Sequence, residues 1–142
     1  RIDFNPLALR AALTRHSVVV VPGFLATRDQ QVVTLGRGGS DLSAVLIAAR
    51  LGAPRCVLIK DVDGYFTADP ATDPAARLIP RVRYDEALRM AGAGCPLVQR
   101  DALIAGRDAG IDIVVRSLTS EGTVVGAVPS FARSPVHAFT NY

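Results

Sequence analysis

Three short apolar runs rich in β-branched residues constrain the fold of this chain more than any other feature. They lie at residues 17–22, 55–60 and 111–115, and patterns typical of helices separate them. Short runs of this kind are typical of strands that are buried on both faces, as in parallel sheets. The alternation therefore predicts an α/β fold, an α/β/α layered sandwich with a mainly parallel sheet.

Glycine, asparagine and proline mark the ends of the predicted helices. Asn5 and Pro6 begin the first helix, because asparagine caps helices and proline suits the first helical position. Gly52 and Gly110 follow two later helices, where a left-handed residue is common. We predict helices at 7–15, 41–50, 84–91 and 99–109, a loop at 23–30, and further short strands at 31–34 and within 117–126.

The composition argues against nucleic-acid and membrane partners. The net charge is +3, with a single lysine, Lys60, among 16 basic residues, and the arginines are spread along the chain rather than clustered. There is no tryptophan and the aromatic content is 6%, so stacking platforms for bases are scarce. The longest apolar runs are about five residues, far short of the ~20 that span a bilayer.

The cysteines and histidines favour neither a disulfide framework nor a metal site. Cys56 and Cys95 are isolated, which fits a reduced, cytoplasmic protein. His16 and His137 have no other ligand-type residue at a useful spacing, so we expect no metal held by the protein alone.

A glycine-rich segment at 34–41 carries the most specific chemical signal. It contains Gly36, Gly38, Gly39, Ser40 and Asp41. Glycines allow positive φ and close approach to a ligand, and a helix that begins at Ser40 or Asp41 would point free N–H groups towards an anion. Arg37 adds a planar guanidinium suited to a carboxylate or phosphate. The alternative is a tight strand-to-helix turn in which Asp41 only caps the helix.

Three segments resemble aspartokinases in order and spacing. Residues 34–41, with Ala44 after them, resemble the TLGRGGSD-type signature of that family. Residues 20–24 are similar to its V-V-x-G-F strand and turn, and residues 61–70 to its nucleotide motif D-V-D-G-x-Y-T-A-D-P. The resemblance covers roughly 1–126 and implies the C-terminal part of an aspartokinase-type catalytic domain, with the amino-acid kinase fold. Residues 127–142 are interpreted as a tail or interdomain linker.

The resemblance implies ATP-dependent phosphorylation of the aspartate side-chain carboxylate in amino-acid biosynthesis. ATP and Mg²⁺ are the implied cofactors, and L-aspartate or a similar small carboxylate is the implied ligand. Phe24, Arg37 and Ser40 would bind this substrate, and Asp41 would orient a catalytic lysine. The implied nucleotide-binding residues are Gly36, Gly38, Gly39, Lys60, Asp61 and Phe66.

The chain also departs from the family pattern on the nucleotide side. Lys60 replaces a threonine, Phe66 replaces a tyrosine, and Pro96 replaces a phosphate-bridging lysine. The family's strand with a lysine and a Gly-Gly-Ser/Thr turn is not found in these residues. Lys60 and Arg100 are candidate compensations, although an ordinary solvent-facing lysine at a strand end is the simpler interpretation of Lys60.

These departures leave a second hypothesis open. The chain would then be a degenerate, non-catalytic amino-acid-kinase-like module that binds a ligand or serves as a scaffold. It would be fused, in one version, to another aspartate-pathway enzyme such as homoserine dehydrogenase. With either hypothesis we expect a homo-oligomer or pairing with a missing half-domain, because an open sheet edge favours association.

Overall fold

A computed structural model describes residues 5–94 and 97–127 of the chain. In chain order, the elements are α1 Pro6–Leu13, β1 Leu25–Arg28, β2 Gln31–Thr34, α2 Gly39–Leu51, β3 Arg55–Ile59, β4 Arg81–Arg83, α3 Tyr84–Gly92, α4 Arg100–Ala109, β5 Asp112–Arg116 and β6 Thr123–Gly126. The four helices lie within a residue or two of their predicted bounds. The side chain of Asn5 accepts a hydrogen bond from the Leu7 N–H, and Gly52 and Gly110 are left-handed, as predicted.

The main sheet has four strands in the order β3-β5-β6-β4. β3 runs parallel to β5 and β4 runs parallel to β6, whereas β5 and β6 are antiparallel. The α/β class and the mainly parallel sheet are thereby confirmed. Strand β4 escaped prediction because a three-residue strand with arginine at both ends carries no recognisable apolar run.

One face of this sheet forms the core with the helices. Cys56, Ile113 and Val125 are paired across β3, β5 and β6, and all three are buried. Helix α4 packs against both α2 and α3, and all three helices pack against the strands. Burial of such apolar rows is the main favourable contribution to folding.

The opposite face of the sheet is only partly covered. Val57 pairs with Val114, which pairs with Val124, so an apolar row crosses this face as well. Val57 and Ile59 are nevertheless 48% and 50% exposed. The prediction that residues 55–60 are buried on both faces is therefore wrong for the described residues, because no element among them packs over this side of β3.

The first predicted strand, at 17–22, is also wrong. These residues have no strand pairing, and Val18 and Val20 are 77% and 90% exposed. A β-branched run becomes a buried strand only where neighbouring strands and covering layers exist. The described residues supply neither for this segment.

A small hairpin replaces the loop that we expected at 23–30. β1 and β2 pair antiparallel, and Asp29 and Gln30 join them with φ of 50° and 64°. Two consecutive positive φ values indicate a type I′ turn, whose twist suits a two-residue hairpin. The loop prediction missed β1 because Asp-Gln lacks the Asn-Gly or Asp-Gly signal of such turns. β2 is confirmed.

No helix of residues 5–94 and 97–127 combines the length and apolar character that crossing a bilayer demands.

Candidate functional site

The candidate site lies at the carboxyl ends of the parallel strands β3 and β5. Lys60 follows β3, and its backbone N–H donates to the Arg116 carbonyl oxygen at 2.8 Å. Because the two strands are parallel, the loops after them leave the sheet at the same edge. Such edges are the usual ligand sites of open α/β sheets.

Asp41 and Lys60 form the strongest polar contact of this edge. The Lys60 Nζ atom lies 2.8 Å from each carboxylate oxygen of Asp41. The two side chains are only 25% and 12% exposed, so water screens their attraction weakly. Lys60 is therefore not the solvent-facing lysine of the simpler interpretation. Asp41 does not cap α2 either, since the capping residue is Gly38 and Asp41 lies in the first turn.

The glycine turn before α2 is tighter than the sequence suggested. Gly36 and Gly38 have φ of 77° and 74°, a region that L-residues avoid, and the helix begins at Gly39. A Cβ atom on Gly38 would overlap the side chain of Gln99, and one on Gly39 would lie 2.6 Å from Leu35 Cβ. Of the three glycines only Gly36 has open space where a side chain would stand, so it is the one that a ligand can approach most closely.

Phe24 holds a strained conformation beside this turn. Its φ of 68° is unusual for an aromatic residue. Its N–H donates to Ser43 Oγ at 3.2 Å, and its carbonyl oxygen accepts from the Leu35 N–H at 2.8 Å. Ser43 Oγ in turn donates to the Gly39 carbonyl oxygen at 2.8 Å. Strain that surrounding contacts maintain is common at binding sites.

Arg37 and Ser40 project from the same turn into solvent. Both residues are exposed. The backbone carbonyl oxygen of Arg37 accepts a hydrogen bond from Gln99. In the described part of the chain, the Arg37 guanidinium and the Ser40 hydroxyl have no hydrogen-bond or ion-pair partner. Both groups are therefore accessible to a ligand.

The turn after Lys60 is anchored to the loop after β5. Asp61 is exposed, whereas the Asp63 carboxylate accepts a hydrogen bond from Ser117 Oγ at 2.5 Å. This bond joins the loops that follow the two parallel strands. Ser117 could not be recognised as an anchor from its sequence context, because only the β3–β5 pairing brings it to Asp63.

The residues that follow are held by a buried threonine. Thr123 Oγ1 accepts from the Tyr65 N–H at 2.9 Å and donates to the Ile79 carbonyl oxygen at 2.7 Å. Phe66 is partly buried and forms an isolated bridge with Leu78. The nucleotide-type motif at 61–70 thus begins as a fixed turn on the sheet edge.

The Asp41 carboxylate also acts on Cys56, a buried residue of the core. Burial raises the pKa of the Cys56 thiol, and the nearby Asp41 carboxylate raises it further. Cys56 is therefore a neutral packing residue near the site rather than a nucleophile. Among residues 5–94 and 97–127, no group of three or more His, Cys, Asp or Glu side chains is arranged to hold a metal ion.

The structure brings together most of the site residues proposed from the sequence. Asp41, Lys60 and the glycine turn form one contact network with Phe24 beside it. Ser43 and Gln99 belong to this network, but their sequence contexts gave no signal. The candidates at Cys95, Pro96 and His137, and the tail from 128 to 142, lie outside the described residues.

Known proteins similar to this chain agree on one family. The model of the "Amino acid kinase family" matches residues 2–117. The chain is 39% identical over 130 residues to an aspartokinase of Thermus thermophilus. This match covers 89% of this chain and 32% of that protein. It is 42% identical over 128 residues to an aspartokinase of Mycobacterium tuberculosis, and this match covers 87% of this chain and 30% of that protein.

A solved structure leads to the same assignment. E. coli aspartokinase III in complex with aspartate and ADP superimposes with a TM-score of 0.75 at 33% identity, over 84% of this chain and 28% of that one. The chain thus spans about a third or less of the length of the relatives that it matches. By its fold and its match over residues 2–117, the chain belongs to the amino acid kinase family and is similar to the aspartokinases within it.

Proposed function

We propose that this chain forms part of an aspartate kinase active site, which transfers the γ-phosphoryl group of ATP to the side-chain carboxylate of aspartate. The observation that carries the proposal is the Asp41–Lys60 contact, which fixes an ammonium group beside the glycine turn at the ligand edge of the sheet. Phosphoryl transfer depends mainly on positioning and on neutralising phosphate charge. A fixed lysine in this place meets both needs.

Arg37, Ser40 and Phe24 form the proposed substrate side. The exposed guanidinium of Arg37 suits the carboxylates of an amino acid, and the Ser40 hydroxyl supplies a further donor. Phe24 is 38% exposed and contributes an apolar wall. E. coli aspartokinase III has been solved with aspartate bound, which supports aspartate as the ligand here.

Lys60, Asp61 and the glycine turn form the proposed nucleotide side. Lys60 would contact phosphate oxygens, Gly36 would let the backbone approach them, and Phe66 would lie near the nucleotide. Mg²⁺ usually reaches such sites on the phosphates and takes one or two carboxylates, and the exposed Asp61 carboxylate fits that need. The ion would neutralise phosphate charge. The role of Asp41 is to hold Lys60 in place.

The exposed face of β3 is a proposed contact surface. Val57 and Ile59 present half-exposed apolar side chains beside the outer edge of β3, with which no strand of the described residues pairs. We propose that another part of an amino-acid kinase domain covers them, or failing that a second copy of the chain. The buried, unpaired Cys56 supports a reducing, cytoplasmic location.

The second candidate function, a non-catalytic module, is favoured by one feature of the same contact. Lys60 engages both carboxylate oxygens of Asp41. If the catalytic lysine belongs elsewhere in the domain, as the resemblance implies, Asp41 is already occupied and cannot orient it without releasing Lys60. Such a module would bind aspartate through Arg37 and Ser40 but would not transfer phosphate.

An acyl-phosphate assay separates the two candidates. The longest natural protein that contains this chain is incubated with Mg-ATP, aspartate and hydroxylamine, which converts aspartyl phosphate to a stable hydroxamate. We expect aspartate-dependent hydroxamate, at least tenfold less in Asp41→Asn, which keeps the side-chain shape but loses the charge. Binding of aspartate without any hydroxamate would favour the non-catalytic module.

A further inference from the structure

Gln99 joins the start of α4 to the glycine turn. Its Nε2 atom donates to the Arg37 carbonyl oxygen at 2.9 Å, across 62 positions of sequence. Its Oε1 atom accepts from the Arg100 N–H at 2.7 Å, so the same amide group also caps α4. One side chain thus satisfies two backbone groups on separate elements.

The aliphatic part of Gln99 fits against Gly38. A Cβ atom on Gly38 would overlap Gln99 Cβ and Cγ, so this glycine makes room for the glutamine side chain. Gly38 also has a φ of 74°, which independently favours glycine. The packing and the hydrogen bond together fix the main chain of the turn against the start of α4.

This contact leaves the Arg37 side chain accessible while its backbone is held. Arg37 is exposed, and its guanidinium has no partner within the described residues. A ligand that binds this guanidinium must order a long side chain, which costs conformational entropy. Fixing the backbone beforehand lowers that cost, because less of the residue remains to be ordered.

We propose that Gln99 is a positioning residue, which holds the Arg37 main chain in place for a ligand that carries a carboxylate. The inference rests on the proposed function, since it assigns the ligand contact to Arg37. The hydrogen bond also links the start of α4 to the substrate side of the site.

Two variants test the hydrogen bond and the packing separately. Gln99→Glu keeps the shape and the acceptor for the Arg100 N–H but cannot donate to the Arg37 carbonyl oxygen, whereas Gln99→Ala removes all the contacts. Gln31→Glu, on the exposed strand β2, makes the same chemical change away from the turn. We expect both Gln99 variants to bind aspartate about tenfold more weakly by calorimetry, the effect of losing one ordinary hydrogen bond. Gln31→Glu should bind like the unmodified protein.

Amide hydrogen exchange provides a readout that needs no ligand. The Gly39 N–H bonds to the Gly36 carbonyl oxygen at 3.0 Å, and the Leu42 N–H bonds to that of Gly38 at 3.2 Å. We expect these two amides to exchange about tenfold faster in both Gln99 variants, because the free energy of local opening falls by about 1.4 kcal/mol. The amides of β5 should keep their exchange rates.

The outcomes separate this inference from the proposed function. Unchanged exchange at Gly39 and Leu42 would overturn the role of Gln99, whatever the protein binds. Faster exchange with unchanged aspartate affinity would overturn the positioning role, because the turn would then loosen without consequence for the ligand. Failure of the unmodified protein to bind aspartate would refute the assigned ligand and the proposed function. The exchange data would still decide whether Gln99 holds the turn.

Discussion

Lys60 Nζ contacts both carboxylate oxygens of Asp41 at 2.8 Å, although the two residues lie 19 positions apart in the sequence. The contact joins the first turn of α2 to the end of β3 and places the only lysine of the chain at the ligand edge of the sheet. Both side chains are mostly shielded from water, so removing either charge leaves the other partly buried without a partner.

Asp41→Asn should destabilise the fold by about 2 kcal/mol, because it leaves the Lys60 ammonium group partly buried without its charged partner. Lys60→Met should cost a similar amount for the reverse reason. The double variant should cost clearly less than the sum, because removing both charges leaves no unpaired ion. Urea unfolding at pH 7 measures all three. Strictly additive losses would show that the two side chains do not interact in solution.

Two neighbours on β3 should respond very differently to truncation. Leu58 is 6% exposed and packs in the core, so Leu58→Ala should cost about 2–5 kcal/mol. Val57 is 48% exposed on the other face, and Val57→Ala should cost about 1 kcal/mol or less. Denaturant midpoints of the two variants check this difference. Equal losses would mean that another layer covers Val57 in the protein as isolated.

Tyr84 links stability to alkaline pH. Its hydroxyl donates to the Ile111 carbonyl oxygen at 2.6 Å. Burial raises the pKa of this hydroxyl, as do the Asp112 carboxylate and, once ionised at alkaline pH, the Cys56 thiolate. The unfolded chain loses this proton near pH 10 while the folded protein keeps it. Stability from this group is therefore full below pH 10 and falls as pH rises further, by up to about 1.4 kcal/mol per pH unit.

Tyr84→Phe isolates this contribution. At pH 7 the variant should lose about 1 kcal/mol, because the Ile111 carbonyl oxygen loses its donor. Between pH 10 and 11 it should lose less further stability than the unmodified protein. Urea unfolding at pH 7, 10 and 11 provides the comparison. If both proteins lose the same stability between pH 10 and 11, Tyr84 is not the source of this pH dependence.

Cys56 should be inert in the folded protein. Burial, reinforced by the Asp41 charge, raises the pKa of its thiol, and the reactive thiolate is scarce at pH 8. In a Cys95→Ser background Cys56 is the only thiol, because the chain has two cysteines. A chromogenic disulfide reagent should label it at least a hundredfold more slowly in buffer than in urea, which corresponds to about 2.8 kcal/mol of free energy for local opening. Rapid labelling of the native protein would place Cys56 in solvent.

The sequence predicted those elements whose signals are local. Gly52 and Gly110 marked helix ends because the left-handed conformation at that position is a property of the residue itself. The strand expected at 17–22 failed because its pairing and burial depend on other parts of the fold. An apolar β-branched run shows that a segment can be buried, but it does not show what covers it.

The same distinction explains the candidate site. The glycine turn and Asp41 were recognisable because they lie together in the sequence, whereas their contacts with Lys60 and Gln99 depend on how β3 and α4 are placed. The role of Lys60 was inferred from its position in a motif, whereas its pairing with Asp41 is known only from the structure. Gln99 has no local signal, because a glutamine before a helix is ordinary.

Titration with Mg-ADP, followed by the NMR signal of Lys60, tests whether the Asp41–Lys60 contact faces bound phosphate. The chain contains one lysine, so protein made with lysine that carries ¹³C at Cε gives a single labelled residue without altering the ammonium group. We expect a saturable shift of this signal on addition of Mg-ADP, and the loss of that shift in Asp41→Asn. A Lys60 signal that stays unchanged at saturating Mg-ADP would contradict a phosphate-facing role for the Asp41–Lys60 contact.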